Sequence, residues 1–480
     1  MGHKDHHGNR TRRARKNDDD RGYHRRPAWD ERVGYATGLG GGAFVFEPGE
    51  LVVAGDDTVV KEVVSTCGAR SEARPLFPGL SLITGTEDPV RVARALQVRG
   101  IRAQPNHVVF ADPSGVDTFA NPATFANPAT FANPATFANP ATFANPATFA
   151  NPATFANPAT FANPAGMASI LPEAFGTYDP PIVPGRIPRQ TLAIATPAPA
   201  GQQHWPDPPR SAAGRRVLVL DTGLAAGPYR PDFVGSTVPV DGDADTDRPD
   251  ENDDGICDTA AGHGTFIAGI IDQMAPGTEI LIDRVLSTTG VGNDADIAER
   301  LVHLVTSENI DVVNLSFSAY TMDDEPPLAL QEALSQVAMA KPDVLVVASA
   351  GNSASSRRTW PAALPQVISV GALGPLGPAP FTNFGPWVRA CAPGVNIISR
   401  YFTQPTDGTS PKVPEDGQDA EFHGWAAWSG TSFAAPVVIG ALLQHQRATG
   451  RSLPDCVRAL IDDPQAARMP ALGTIVNAHP

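Results

Sequence analysis

The stretch WSGTSFAAPVVIGALL, residues 428–443, sets a serine just ahead of an apolar run. Ser432 has two readings. Serine is favoured where a helix begins, because its hydroxyl accepts an orphan N–H of the first turn, and the run reads as a buried helix although Pro436 falls within its opening turns. The other reading is a nucleophile. A serine hydroxyl is weak by itself and needs a neighbouring base to take its proton, so the rest of the chain must supply one. The strand VLVLDTGL carries Asp221 at its end. Burying a lone charge there is costly, so a partner is expected, although Asp-Thr-Gly also caps turns. In AAGHGTFIAGII, His263 stands between Gly262 and Gly264 at the start of an apolar helix, where the missing side chains leave the imidazole accessible. Asn352 follows Gly351 in VVASAGNS, a place where a turn-forming asparagine is ordinary.

Separately each residue has a structural explanation; together they do one job. Histidine titrates near neutrality and takes the serine proton. A carboxylate fixes the imidazole tautomer and stabilises the imidazolium. A side-chain amide and a backbone N–H at a helix N-terminus supply donors to a developing oxyanion.

Positioning such a set requires a scaffold. The strands RRVLVLD, EILIDRVL, DVVNLSF, DVLVVASA and QVISVGAL alternate with helical stretches such as DADIAERLVHLVTSEN, in which Ile297, Leu301, Leu304 and Val305 line one face. That alternation predicts a parallel sheet covered on both sides, with functional residues at the carboxyl ends of its strands. An earlier region, 42–112, runs FVFEPGELVVAG, DDTVVKEVVSTCG, GLSLITG, DPVRVARALQVRG and IRAQPNHVVFA, which reads as strand, helix, strand, helix, strand. Val90, Val92, Ala93 and Leu96 give its second helix an apolar face, with Asp88 as the cap. This is a small α+β unit. Residues 1–41 form a charged tail whose first 32 residues hold ten Lys or Arg against six Asp or Glu, and its scarcity of apolar residues predicts disorder. His3, His6 and His7 read as part of that solvated tail. Residues 113–184 form a linker holding eight TFANPA repeats at 118–165. A proline every six residues interrupts helix and strand alike, which leaves a linker, a phenylalanine-bearing binding arm or a short solenoid as its readings.

The net charge of −15 argues against a nucleic-acid partner. The apolar runs are too short for a membrane span, and no apolar segment follows the basic start as a secretory leader would require. Cys67, Cys257, Cys391 and Cys456 lack zinc-binding spacing. A soluble, cytoplasmic protein is the expectation, with export by another route left open.

The motifs resemble those of the subtilisin family of serine peptidases: DTG at 221–223, HGTFIAG at 263–269 and GTSFAAP at 430–436, in the order Asp, His, Ser, an order for which subtilisin is a worked reference case. VVNLSFS is similar to the family's substrate-pairing edge, which implies that Ser316, Phe317 and Ser318 line a bound peptide. ASAGNS is similar to its oxyanion segment and one wall of the first specificity pocket, which brings in Ser349, Ala350 and Gly351 and makes Asn352 an oxyanion donor; Thr359 and Trp360 fall near that pocket. The resemblance covers about 185–478. It implies a three-layer α/β fold with a mainly parallel sheet over 185–480 and a serine endopeptidase with Asp221, His263 and Ser432 as the triad. Region 42–112 is similar to the family's inhibitory prodomain, a ferredoxin-like unit that acts as an intramolecular partner. The alternative is a catalytically silent fold that binds peptides or serves as a scaffold. Two departures stand near the cleft. DGDADTDRPDENDDGICD, 241–258, is dense in carboxylates, and DENDDG matches the start of a calcium loop at Asp250, Asn252 and Asp254. Its twelfth position is Ala261 instead of glutamate, so calcium and a solvated acidic loop are both open; no cofactor is required. A polar insertion over 400–428 precedes the nucleophile.

Overall fold

The computed structural model describes residues 33–111, 193–194, 214–233, 235–403, 411 and 422–476. Residues 1–32, the TFANPA repeat and the middle of the 400–428 insertion lie outside the described residues.

Two capped helices and five strands build the first unit. They run β1 (Gly34–Thr37), β2 (Ala43–Ala54), α1 (Asp57–Cys67), β3 (Glu72–Phe77), β4 (Leu80–Thr84), α2 (Pro89–Val98) and β5 (Ala103–Ala111). Asp56 caps α1 by accepting from the Thr58 and Val59 N–H groups at 2.9 and 3.0 Å. Asp88 caps α2 by accepting from Arg91 N–H at 2.9 Å, and Pro89 suits the first helical position because it has no N–H to leave unpaired. The strands pair antiparallel in the order β5-β2-β4-β3, which is the ferredoxin-like βαββαβ arrangement. β1 adds to β2 from within the segment expected to be tail. Four residues with alternating half-exposure carry too little pattern to announce a strand. Period-two alternation sorts the two faces of this sheet. Leu51 and Val53 pack with Val63, Val92, Ala93 and Leu96 of its own helices, whereas Val52, Leu82 and Val109 pack into the second unit.

The second unit runs β6 (Ala193–Ile194), β7 (Arg216–Asp221), β8 (Leu224–Ala225), β9 (Thr237–Pro239), β10 (Thr246–Asp247), α3 (His263–Met274), β11 (Glu279–Arg284), β12 (Val291–Asn293) and α4 (Asp294–Ser307). It continues β13 (Val312–Leu315), β14 (Phe317–Ser318), α5 (Leu328–Ala340), β15 (Leu345–Ser349), β16 (Val367–Gly374), β17 (Gly377–Pro378), β18 (Ala390–Pro393), β19 (Ile397–Thr403) and β20 (His423–Trp428). It closes with α6 (Thr431–Thr449), α7 (Leu453–Leu460), β21 (Arg468–Met469) and β22 (Gly473–Ile475). Its main sheet has the order β21-β22-β18-β16-β15-β13-β7-β11-β9, parallel except at β21. Both faces are covered. Val217 and Val219 of β7 pack with α3 and α6, while Leu218 and Leu220 pack with α4 and α5. The three-layer α/β fold follows. The two ends of the 400–428 insertion belong to the β19–β20 hairpin, which β6 extends.

The units meet edge to edge. β5 pairs antiparallel with β12, setting Phe110 opposite Val291 and Val109 opposite Gly292. It also pairs antiparallel with β14, setting Ala111 opposite Phe317 and Phe110 opposite Ser318. Side chains of β5 reach the starts of two helices: Asn106 Oδ1 accepts from Ala295 N–H at 3.1 Å, and Gln104 Oε1 accepts from Leu328 N–H at 3.0 Å. The second contact serves α5, which has no side-chain cap of its own because Pro327 precedes it. Among the described residues, no helix is long and apolar enough to cross a membrane.

Candidate active site

Asp221 ends β7 and His263 opens α3, so the sheet and one covering helix bring the pair together. His263 Nδ1 lies 2.8 Å from Asp221 Oδ1, which also accepts from Thr222 N–H at 2.8 Å. Both side chains are fully buried. The imidazole was expected to be accessible between its glycines, and it is not. Trp428 and Phe433 pack against the ring at centroid distances of 5.6 and 5.3 Å. The glycines serve close approach instead. A Cβ on Gly264 would sit 2.5 Å from the Gly223 carbonyl oxygen, and Gly262 has φ of +81° with Tyr401 2.4 Å from where its Cβ would be. The start of α3 can reach the end of β7 only with no side chains there.

Ser432 occupies the first turn of α6 and is fully buried. Pro436 explains its surroundings. Having no N–H, Pro436 cannot bond the carbonyl four residues back, which is that of Ser432, and the Ser316 hydroxyl donates to this oxygen at 2.9 Å instead. Ser432 Oγ in turn lies 3.4 Å from the Ser316 carbonyl oxygen. His263 Nε2 is buried and has no hydrogen-bond partner among the described residues. It makes no hydrogen bond to Ser432 Oγ.

Asn352 is oriented by α6. Its Oδ1 accepts from Thr431 N–H at 2.8 Å and from the Thr431 hydroxyl at 2.9 Å, and its amide nitrogen lies 3.5 Å from where a Cβ on Gly430, the residue before the helix, would be. Ser349 ends β15, Ala350 and Gly351 follow it, and all three are buried; Gly351 N–H donates to Thr431 Oγ1 at 3.1 Å, and Thr359 Oγ1 donates to the Ala350 carbonyl at 2.8 Å. Phe317 and Ser318 form β14, whose edge is taken by β5.

The acidic run does not act as one loop. Asp250, Asn252 and Asp254 sit on a surface turn and accept from its own amides: Gly255 N–H to Asp250 at 2.8 Å, Asp254 N–H to Asn252 at 2.9 Å and Ile256 N–H to Asp254 at 2.8 Å. Asp241, Asp245 and Asp283 bring carboxylate oxygens within 4.8 Å of one another, and Arg300 bonds both Asp241 and Asp283. Burial, and then Asp283, push the Asp245 carboxyl up to about 6. Asp247 lies deeper, fully buried beside the Asp221–His263 pair, and burial pushes it up to about 8. Sequence reasoning missed Asp247, Trp428 and Phe433. No local pattern marked the first: Gly242–Asp245 is a 3-10 turn, so the spacing of Asp243, Asp245 and Asp247 does not sort them by face as it would in a strand.

The family model of the subtilase family matches residues 213–466. The chain belongs to the subtilase family. A thermophilic serine proteinase of Bacillus sp. (strain AK1) is 34% identical to this subtilase over 255 residues, which are 50% of this chain and 54% of that protein. Subtilisin Savinase of Lederbergia lenta is 30% identical over 241 residues, 48% of this chain and 76% of that protein. The subtilase thus spans about half the length of the first of these relatives. The structure of fervidolysin from Fervidobacterium pennivorans, described as a keratinolytic enzyme related to subtilisin, matches with a TM-score of 0.52 at 19% identity, covering 90% of this chain and 60% of that one. At that identity the likeness speaks to fold alone.

Proposed function

We propose that this subtilase is a serine endopeptidase working through an acyl-enzyme and restrained by its own N-terminal unit. Ser432 Oγ attacks the scissile carbonyl as His263 Nε2 takes its proton, and Asp221 holds Nδ1–H and stabilises the imidazolium. The Asn352 amide and the N–H of Ser432, at the positive end of α6, receive the oxyanion. His263 then returns the proton to the leaving amine, and water repeats the sequence to release the acid. The observation that carries this reading is the buried 2.8 Å contact of His263 Nδ1 with Asp221 Oδ1, at the mouth of a helix whose first turn presents a serine.

The restraint follows from the pairing of β5 with both β12 and β14. A peptide that adds to a sheet edge gains main-chain hydrogen bonds along its length, and β14 is the edge the resemblance assigns to a substrate, with β12 beside it. β5 occupies both.

The test of the chemistry is labelling of the full chain by a serine-directed phosphonate, alongside peptide hydrolysis. Ser432→Ala should abolish both while leaving the melting curve in place. Asn352→Ala should lower kcat by about 10²–10³, the magnitude known for the corresponding subtilisin residue. Full activity in Ser432→Ala would refute the mechanism.

A further inference from the structure

Asp247 ends the two-residue strand β10, which pairs with β8 directly after the Asp-Thr-Gly turn. Its Oδ2 accepts two hydrogen bonds, from the Thr222 hydroxyl at 2.7 Å and from Gly262 N–H at 2.8 Å. Thr222 follows Asp221, and Gly262 precedes His263. The Thr222 oxygen also accepts from Gly264 N–H at 3.1 Å, so the residues on both sides of His263 are tied to the residue after Asp221. One carboxylate oxygen closes the ring. Nothing else among these contacts joins the Asp-Thr-Gly turn to the residue before the histidine.

We propose that Asp247 is a positioning residue for the Asp221–His263 pair, holding the imidazole in line through Thr222 and Gly262. This rests on the peptidase reading above and adds a component that the triad residues do not contain. Gly262 needs such a hold because its left-handed backbone, φ +81°, is a conformation glycine leaves at little cost. The charged groups facing Asp247 are Arg284, which lowers its affinity for a proton, and Asp221, which raises it. Burial outweighs them, and the carboxyl is largely uncharged at neutral pH. What the clamp supplies is then an acceptor oxygen and not a charge. Asparagine retains that oxygen; alanine does not.

The experiment uses the full chain and three variants, Asp247→Ala, Asp247→Asn and Thr222→Val. Peptide hydrolysis is resolved into kcat and KM, and His263 is titrated by NMR with labelled histidine. Asp247→Ala should lower kcat by about 10²-fold, the cost of a misplacement on the order of 1 Å, with KM little changed and the His263 titration altered as Asp221 loses alignment. Asp247→Asn should restore most of the rate and the titration. Thr222→Val, which removes the bridging hydroxyl at constant shape, should move kcat and the titration in the same direction as alanine, and it serves where Asp247→Ala does not fold. The proposal is overturned if Asp247→Ala, or Thr222→Val in its place, keeps the wild-type kcat and titration, or if asparagine is as impaired as alanine. A chain that neither cleaves peptide nor takes phosphonate, in the wild type or with β5 displaced from β12 and β14 by substitution at Ala111, would defeat the peptidase reading instead, and the His263 titration would still judge Asp247.

Discussion

Ala111 offers the sharpest handle on the proposed restraint. Its N–H donates to the Gly290 carbonyl at 2.6 Å, and the residue is buried, 2% exposed, among residues of the second unit that include Ala260 and Leu286. The space is tight. A Cβ built on Gly290 would stand 2.8 Å from the Ala260 Cβ and 3.1 Å from that of Ala111. Replacing Ala111 with leucine adds three carbons where one methyl already fills the gap, and overpacking of this kind costs about 1–3 kcal/mol. The whole cost falls on the closed form, because in the open form the residue is solvated. The ratio of open to closed chain should therefore rise by about 5–150-fold. While closed molecules dominate, the rate of peptide hydrolysis follows the open fraction and should rise by the same factor. The assay is the initial rate of the full chain on a fluorogenic peptide, with intact mass checked at each time point so that cleavage of the chain is not mistaken for opening. Ala111→Gly should leave the rate nearly unchanged, and Ala111→Leu combined with Ser432→Ala should be inactive. Amide exchange at Val291–Asn293 reports whether β5 has left. Faster exchange there with an unchanged rate would show that β5 does not close the site, and unchanged exchange would refute the packing argument itself.

Two further outcomes concern the acidic run. Asp247 is held at about 8 against an ordinary value of 3.8, so between those pH values the native state keeps a proton that the unfolded chain has lost. Stability then falls as pH rises across that window, and Asp247→Asn, which cannot titrate, should gain in melting temperature over the wild type from pH 5 to pH 8; a constant gap would refute the burial argument. Calcium on the Asp250–Asn252–Asp254 turn is a proposal with a simple check. A chelator should lower the melting temperature of the full chain through loss of a native-state ligand, Asp254→Ala should remove that response, and a curve indifferent to both leaves a turn held by its own amides.

The parts of this molecule that were legible in the sequence are those whose signal is local. β2, β4, β5, α1 and α2 announce themselves by period and cap, and Asp88 does at α2 what an N-terminal carboxylate does in any helix. The same holds for the strand that delivers Asp221 and for the buried face of α4, where Ile297, Leu301, Leu304 and Val305 are buried as their spacing predicts. Contacts made between distant segments were not legible. The imidazole of His263 is buried by Trp428 and Phe433, some 165 positions later, so the flanking glycines alone suggested an open ring. Composition and period do not say which strand fills the edges of β12 and β14; only the resemblance to a prodomain, whose C-terminal end here is PNHVVFADPSG, pointed β5 at the cleft.

The run from Asp241 to Asp258 shows why composition misleads at such a place. Read as a block, it is a set of like charges for water or calcium. Folded, it is divided by burial. Asp241 stays at the surface against Arg300, Asp245 goes under and receives the Asp241 and Arg284 amides, and Asp247 goes fully under to meet Thr222 and Gly262. Beyond Pro249 the chain returns to the surface, where Asp250 and Asp254 close a turn. Burying a carboxylate is costly unless its oxygens find donors. Asp247 is met by donors from the segments that flank the Asp221–His263 pair, and Asp245 by the amides of its own turn and of the end of β11. The cost is offset only when β7, β10 and the start of α3 are in register, and the burial of Asp247 is thereby coupled to the alignment of the pair it borders.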